Sequence, residues 1–115
     1  MRTLNRSALT LRPKQPFLDW LHALPEESNR ELTLEDLRRE NTVYLLDEVD
    51  TLEQAIEQIT PLIKDIFSEQ LAGWSTAKDK WPDGLTIGQL LEWFEVELGT
   101  MVADVGTEGL RVEEL

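Results

Sequence analysis

The feature that most constrains this chain is a broad apolar stripe between Leu52 and Phe67. Leu52, Ala55, Ile56, Ile59, Leu62, Ile63, Ile66 and Phe67 recur at the three- and four-residue intervals of one helical face. A helix carrying such a stripe draws its stability from packing, so the remaining chain has to supply a cover for it. Asp50 with Glu53 has the spacing of a capping pair and is expected to open the element. Pro61 interrupts the hydrogen-bond ladder, but it falls opposite the stripe, where water can replace the lost bond. The expectation is one long helix bent near Pro61, or two short helices with nearly continuous faces.

The cover is legible on both sides of the stripe. Ser7-Ala8-Leu9-Thr10-Leu11-Arg12 alternates apolar and polar before Pro13, the pattern of a short strand at a sheet edge. Pro16 suits the first position of a helix whose face is Phe17, Trp20, Leu21 and Leu24, with Pro25 ending it. After a polar loop, Thr33 is expected to cap a brief helix, with Asp36 as a short capping-box partner and Leu32 stapled to Leu37. Thr42-Val43-Tyr44-Leu45-Leu46 is a continuous β-prone run that suits a central strand covered on both faces, or one face plus the edge of a barrel-like layer. Beyond the stripe, Pro82-Asp83-Gly84 marks a turn. Thr86 with Gln89 and a Leu85–Leu90 staple then open a last helix, whose core face is Ile87, Leu90, Leu91, Phe94 and Leu98 and whose stop is Gly99. Thr100–Val105 reads as a third strand. The predicted order is β-α-α-β-α-α-β, an α+β fold with a small three-stranded sheet packed against helices and more helix than strand. Residues 1–105 are expected to form a single domain, followed by a flexible acidic tail over 106–115.

Composition enters here as a filter on function. The chain has no cysteine, which excludes disulfides, thiolate metal sites and cysteine nucleophiles. Its 115 residues are 41% hydrophobic, with four tryptophans, so a core can form without staples. The single histidine, His22, sits on the polar side of its helix and is expected to be exposed, without the positioned partner that acid–base work requires. No phosphate loop, nucleophile elbow or HExxH motif occurs. No catalytic residue and no cofactor are therefore expected. The 23 Asp and Glu outnumber the 11 Lys and Arg for a net charge of −12, and residues 1–20 are nevertheless basic. This balance argues against nucleic acid as a direct ligand and against an anionic membrane surface. No apolar run approaches the ~18 residues of a membrane span, and the N-terminus lacks an apolar leader, so a cytoplasmic setting is expected.

Two groups of residues remain as candidates. Asp47, Glu48 and Asp50 lie between a strand end and a helix start, where three carboxylates can hold a hard cation such as Mg²⁺ or Ca²⁺, with Asp104 as a further candidate ligand. The same acidic residues also serve a helix N-terminus through its partial positive charge, and that capping reading carries more weight. Glu92, Glu95 and Glu97 are read as the solvent face of the last helix. Trp93 and Val96 fall outside its core stripe. Trp93 either clusters with Trp74 and Trp81 or anchors an interface, a role tryptophan often fills. The candidate interaction surface is thus Trp93, Val96, Trp81 and Trp74, with a small-molecule pocket beneath the Trp74–Trp81 loop as a further option.

Gln15-Pro16-Phe17-Leu18-Asp19-Trp20-Leu21, Val43-Tyr44-Leu45-Leu46, Trp81-Pro82 and Trp93-Phe94 together form a pattern that resembles small bacterial proteins without an assigned activity. The resemblance spans Pro16 to Val105. It departs where Asp47 stands in place of a proline after the second strand, and it implies a bacterial, soluble, single-domain protein without indicating a substrate. The leading expectation is a non-catalytic protein-interaction module with a partner protein, a basic one by charge. A carboxylate-dependent metal binder or enzyme using residues 47–50 is the alternative.

Overall fold

The alternating stretch before Pro13 does form a strand, but it lies in the middle of the sheet and not at its edge. The computed structural model describes residues 1–114. Its strands are β1 (Arg2–Leu4), β2 (Arg6–Pro13), β3 (Thr42–Asp47), β4 (Phe94–Gly99) and β5 (Val102–Asp104). Its helices are α1 (Gln15–Ala23), α2 (Leu34–Arg38), α3 (Leu52–Ile59), α4 (Ile63–Ala72) and α5 (Ile87–Trp93), with 3-10 turns at Glu27–Glu31, Thr60–Leu62 and Lys78–Lys80. Helix exceeds strand, at 44% against 23%, and the fold is α+β as expected.

The main sheet is antiparallel with order β3-β2-β4. Ser7, Leu9, Leu11 and Pro13 of β2 are buried against the helices, while Arg6, Ala8, Thr10 and Arg12 face the other way. Pro13 is tolerated in a central strand for a specific reason. The Lys14 N–H donates to the Trp93 carbonyl at 2.8 Å, so even-numbered residues of β2 turn their backbone groups toward β4 and odd-numbered ones toward β3. The N–H that Pro13 lacks would point past Thr42, where β3 has not yet begun, and the Arg38 guanidinium bonds the Pro13 carbonyl there at 3.1 Å.

The final helix is shorter than expected. It ends at Trp93, and Phe94–Gly99 continues as β4, paired with β2 in the register Leu9↔Leu98, Leu11↔Val96 and Pro13↔Phe94. Glu95 and Glu97 therefore stand on the outer face of a strand, and Arg12 forms an ion pair with Glu97. The Thr100–Val105 segment contributes only β5, which pairs with β1 in a separate two-stranded ribbon. Between the two sheets, Asn5, Arg6 and Ser7 face only Thr100 and Met101, so an extra residue on the first strand breaks the ladder as a bulge does. Arg2 and Asp104 close the ribbon with an ion pair. Gly106 to Glu114 follow without helix or strand.

The stripe divides at Pro61 into α3, a 3-10 turn and α4, the second of the two expected forms. Ala55, Ile59, Ile63, Ile66 and Phe67 are buried, with Leu71 extending the face. Leu52, the first residue of α3, and Leu62, the last of the 3-10 turn, stay exposed. The cap lies one residue beyond the expected pair: Thr51 accepts from the Gln54 N–H, and the Gln54 side chain accepts from the Asp50 and Thr51 N–H groups. Thr33 and Asp36 make the expected box. Thr86 also caps α5, but the Gln89 side-chain oxygen is buried without a partner and does not complete a box.

Ser7 is the buried polar residue of the core layer, fully enclosed. Its hydroxyl accepts from the Val49 N–H at 3.0 Å and faces the Val49 carbonyl at 3.3 Å, tying the 47–50 loop to the bulge. Removing it leaves both backbone groups of Val49 without that partner. Ser7→Ala is expected to lower the unfolding free energy by about 1–3 kcal/mol. Urea denaturation should show a lower midpoint at unchanged slope, and an unchanged midpoint would contradict the assignment.

Candidate functional site

The strand order β3-β2-β4 makes β3 an edge strand, which places its apolar run differently from the expectation of a doubly covered strand. Leu46 is buried, and Thr42 and Tyr44 face the helices. Val43 and Leu45 face away from them and are each 54% exposed. Their neighbours on that outer sheet face are Thr10 and Ala8, in the register Thr10↔Val43 and Ala8↔Leu45, with Gly99 beyond Ala8 on β4.

The backbone of β3 is equally uneven. Because odd-numbered residues of β2 bond toward β3, their partners Leu46, Tyr44 and Thr42 bond inward, and Val43, Leu45 and Asp47 point outward. The outward groups of Asp47 are occupied: its N–H donates to the Gln58 side-chain oxygen at 2.7 Å, and the Gln58 amide donates back to its carbonyl at 3.4 Å. Among the described residues no group outside the β2–β3 ladder bonds the backbone of Val43 or Leu45. Edge strands are commonly blunted by lysine, proline or a bulge, and Thr42–Leu46 has none of these.

A cavity of about 370 Å³ lies on the helical side at the start of this edge. Phe17, Pro13, Leu37 and Trp74 form its apolar wall, and Asp36, Glu40, Thr42, Glu69 and Gln70 its polar one. The Gln70 amide donates to the Tyr44 hydroxyl at 2.9 Å, which ties this wall of the cavity to β3. Burial raises the Tyr44 phenol, against the lowering effect of the Gln70 bond, so it stays a neutral hydroxyl. The Thr33 backbone amide, then its hydroxyl, hold the Asp36 carboxyl below the usual aspartate range, and it remains an anion at neutral pH. Arg39 lies 3.7 Å from Asp36 and 3.9 Å from Glu35. Neither Glu40 nor Glu69 is in an ion pair among the described residues.

The predicted site residues occupy separate places. Trp93 is half-buried in an aromatic cluster, with ring centroids 5.7 Å from Phe67, 6.1 Å from Phe17 and 6.2 Å from Trp20. Val96 packs on the core face of β4. The helical flank expected to carry both does not exist, since α5 ends between them. Trp81 donates its indole N–H to the Ser75 carbonyl at 2.9 Å and borders a second, shallower depression with Lys64 and Lys78. Trp74, 38% exposed, lines the larger cavity. The three tryptophans thus do not form one cluster. His22 is half-buried, and its Nε2–H donates to the Leu32 carbonyl at 2.9 Å.

Asp47, Glu48 and Asp50 are exposed, and their loop is shaped by Ser7, Gln54 and Gln58. Asp104 is engaged elsewhere: the Gly106 N–H and then Arg2 hold its carboxyl below the usual range. Among the described residues no three His, Cys, Asp or Glu side chains come together in a way that could hold a metal ion. The residues that sequence reasoning passed over are Val43 and Leu45, whose signal was an apolar run longer than a one-sided strand needs. Compared with known proteins, the chain matches no family model, no curated protein and no solved structure. No helix among the described residues is long and apolar enough to cross a membrane.

The different settings of Trp93 and Trp74 predict different costs of truncation. Trp93→Ala should lose about 3 kcal/mol of stability and Trp74→Ala no more than about 1 kcal/mol. Parallel thermal and urea unfolding of the two variants checks this, and equal losses would contradict the placement.

Proposed function

We propose that this chain is a non-catalytic protein-interaction module of the bacterial cytoplasm, and that β3 with the outer sheet face beside it is its docking surface. One observation carries the reading: Val43 and Leu45 stand uncovered on an unpaired edge strand. Scattered apolar residues are ordinary on a protein surface. Here two of them share a rigid strand with open hydrogen-bonding groups, in a chain of which 30% is charged. The bacterial setting follows the sequence pattern noted above.

Placing a photo-crosslinking amino acid at one position at a time tests the surface inside cells. Leu45→p-benzoylphenylalanine should give discrete adducts with another protein on irradiation. The same replacement at Glu57, exposed on α3, should not. No adduct at position 45, or the same adducts from both positions, would argue against the docking surface.

A further inference from the structure

We infer that the unpaired edge of β3 receives an extended segment of the partner protein as an added strand, and that this segment carries a lysine or arginine directed to Glu40 and Glu69. The inference rests on the interaction reading above and goes further, to a mode of binding and a partner chemistry. Strand addition needs outward N–H and C=O groups in the two-residue period of a strand, and Val43 and Leu45 supply them. Gln58 already occupies the next outward pair, at Asp47, so the open stretch is bounded at that end.

The side chains of an added strand alternate between the two faces of the sheet. One set would lie beside Val43 and Leu45, on the uncovered outer face, where small or apolar groups remove apolar surface from water. The other set would lie on the face of Thr42 and Tyr44, where the cavity is found. The groups bordering that cavity select the chemistry. Glu40 and Glu69 are carboxylates outside any ion pair among the described residues and Trp74 presents a partly exposed indole, a setting for a cationic head on a long apolar stem. The two arginines that follow the cavity-lining Leu37 are already engaged, Arg38 with the Pro13 carbonyl and Arg39 beside Glu35 and Asp36. Asp47, Glu48 and Asp50 extend the acidic field past the far end of β3. A second copy of this chain is a poorer occupant, because each copy carries a net charge of −12.

The probe is a fluorescently labelled twelve-residue peptide of alternating threonine and valine with lysines at two threonine positions. It is compared with the same peptide carrying glutamate for lysine, and with a lysine peptide N-methylated at alternate backbone nitrogens. Fluorescence anisotropy should show binding of the lysine peptide, at least roughly tenfold weaker binding of the other two, and weakening as salt rises. Leu45→Pro in the protein removes an outward N–H while sparing the β2–β3 ladder, and should weaken binding comparably. Should that variant fold poorly, the N-methylated peptide probes the same bonds without altering the protein. Glu40→Gln with Glu69→Gln should bring the lysine and glutamate peptides to similar affinity. Equal binding of all three peptides, or binding insensitive to N-methylation, would overturn strand addition. A strand bound without preference for lysine would overturn the basic-partner assignment, and a sedimentation dimer held through β3 would replace the partner with a second copy. In each of those cases adducts formed at position 45 with another protein would leave the broader interaction reading standing, whereas their absence would remove both.

Discussion

Everything in this fold depends on how β2 is shared between its two neighbours. Its odd-numbered side chains, Leu9 and Leu11 foremost, are buried among the helices, while its backbone bonds β3 on one side and β4 on the other. A one-residue slip would exchange Ser7, Leu9 and Leu11 for Ala8, Thr10 and Arg12 and bury a guanidinium, so the register is strongly specified. Both neighbouring strands come from distant parts of the chain, and both are antiparallel to β2. The helices between them pack on the single face that this register makes apolar.

A two-layer arrangement leaves the second face of the sheet without a cover, and the residues there divide by strand. On β4 the outer residues are Glu95 and Glu97, and Arg12 of β2 neutralises one of them. On β3 they are Val43 and Leu45, with no charge between Thr42 and Leu46. The proposed docking surface is therefore a consequence of topology. The same five residues placed in a central, doubly covered strand would be ordinary core.

That difference also explains which parts of the fold were legible in the sequence. Helices with local signals were read well: the Thr33–Asp36 box, the Pro61 interruption and the buried face from Ala55 to Phe67 depend on residues a few positions apart. Strand position depends on distant pairing and is poorly marked locally: β2 is expected at the edge but lies in the centre, and of the two settings that suit the β3 run the doubly covered central one does not occur. Pro13 signalled an edge because its missing N–H normally requires one, yet the local end of β3 meets the same requirement. Phe94 and Leu98 fit a helical face at four-residue spacing and a strand face at two-residue spacing equally well. The strict alternation Phe94-Glu95-Val96-Glu97-Leu98 was the discriminating signal, and the strong Thr86 cap obscured it. Trp93 was misplaced for the same reason, since its partners Phe17 and Phe67 lie far away in the chain. The cavity with Glu40, Glu69 and Trp74 draws its lining from β2, α1, α2, β3 and α4 and has no local pattern at all.

The claim on which the account turns is that from Thr42 to Leu46 β3 is bonded on one side only. Amide hydrogen exchange, resolved residue by residue by NMR on the protein alone, tests it most directly. Thr42, Tyr44 and Leu46 should exchange at least roughly tenfold more slowly than Val43 and Leu45. Uniform protection along the strand at every protein concentration would contradict it, since β3 would then have a second neighbour within the chain.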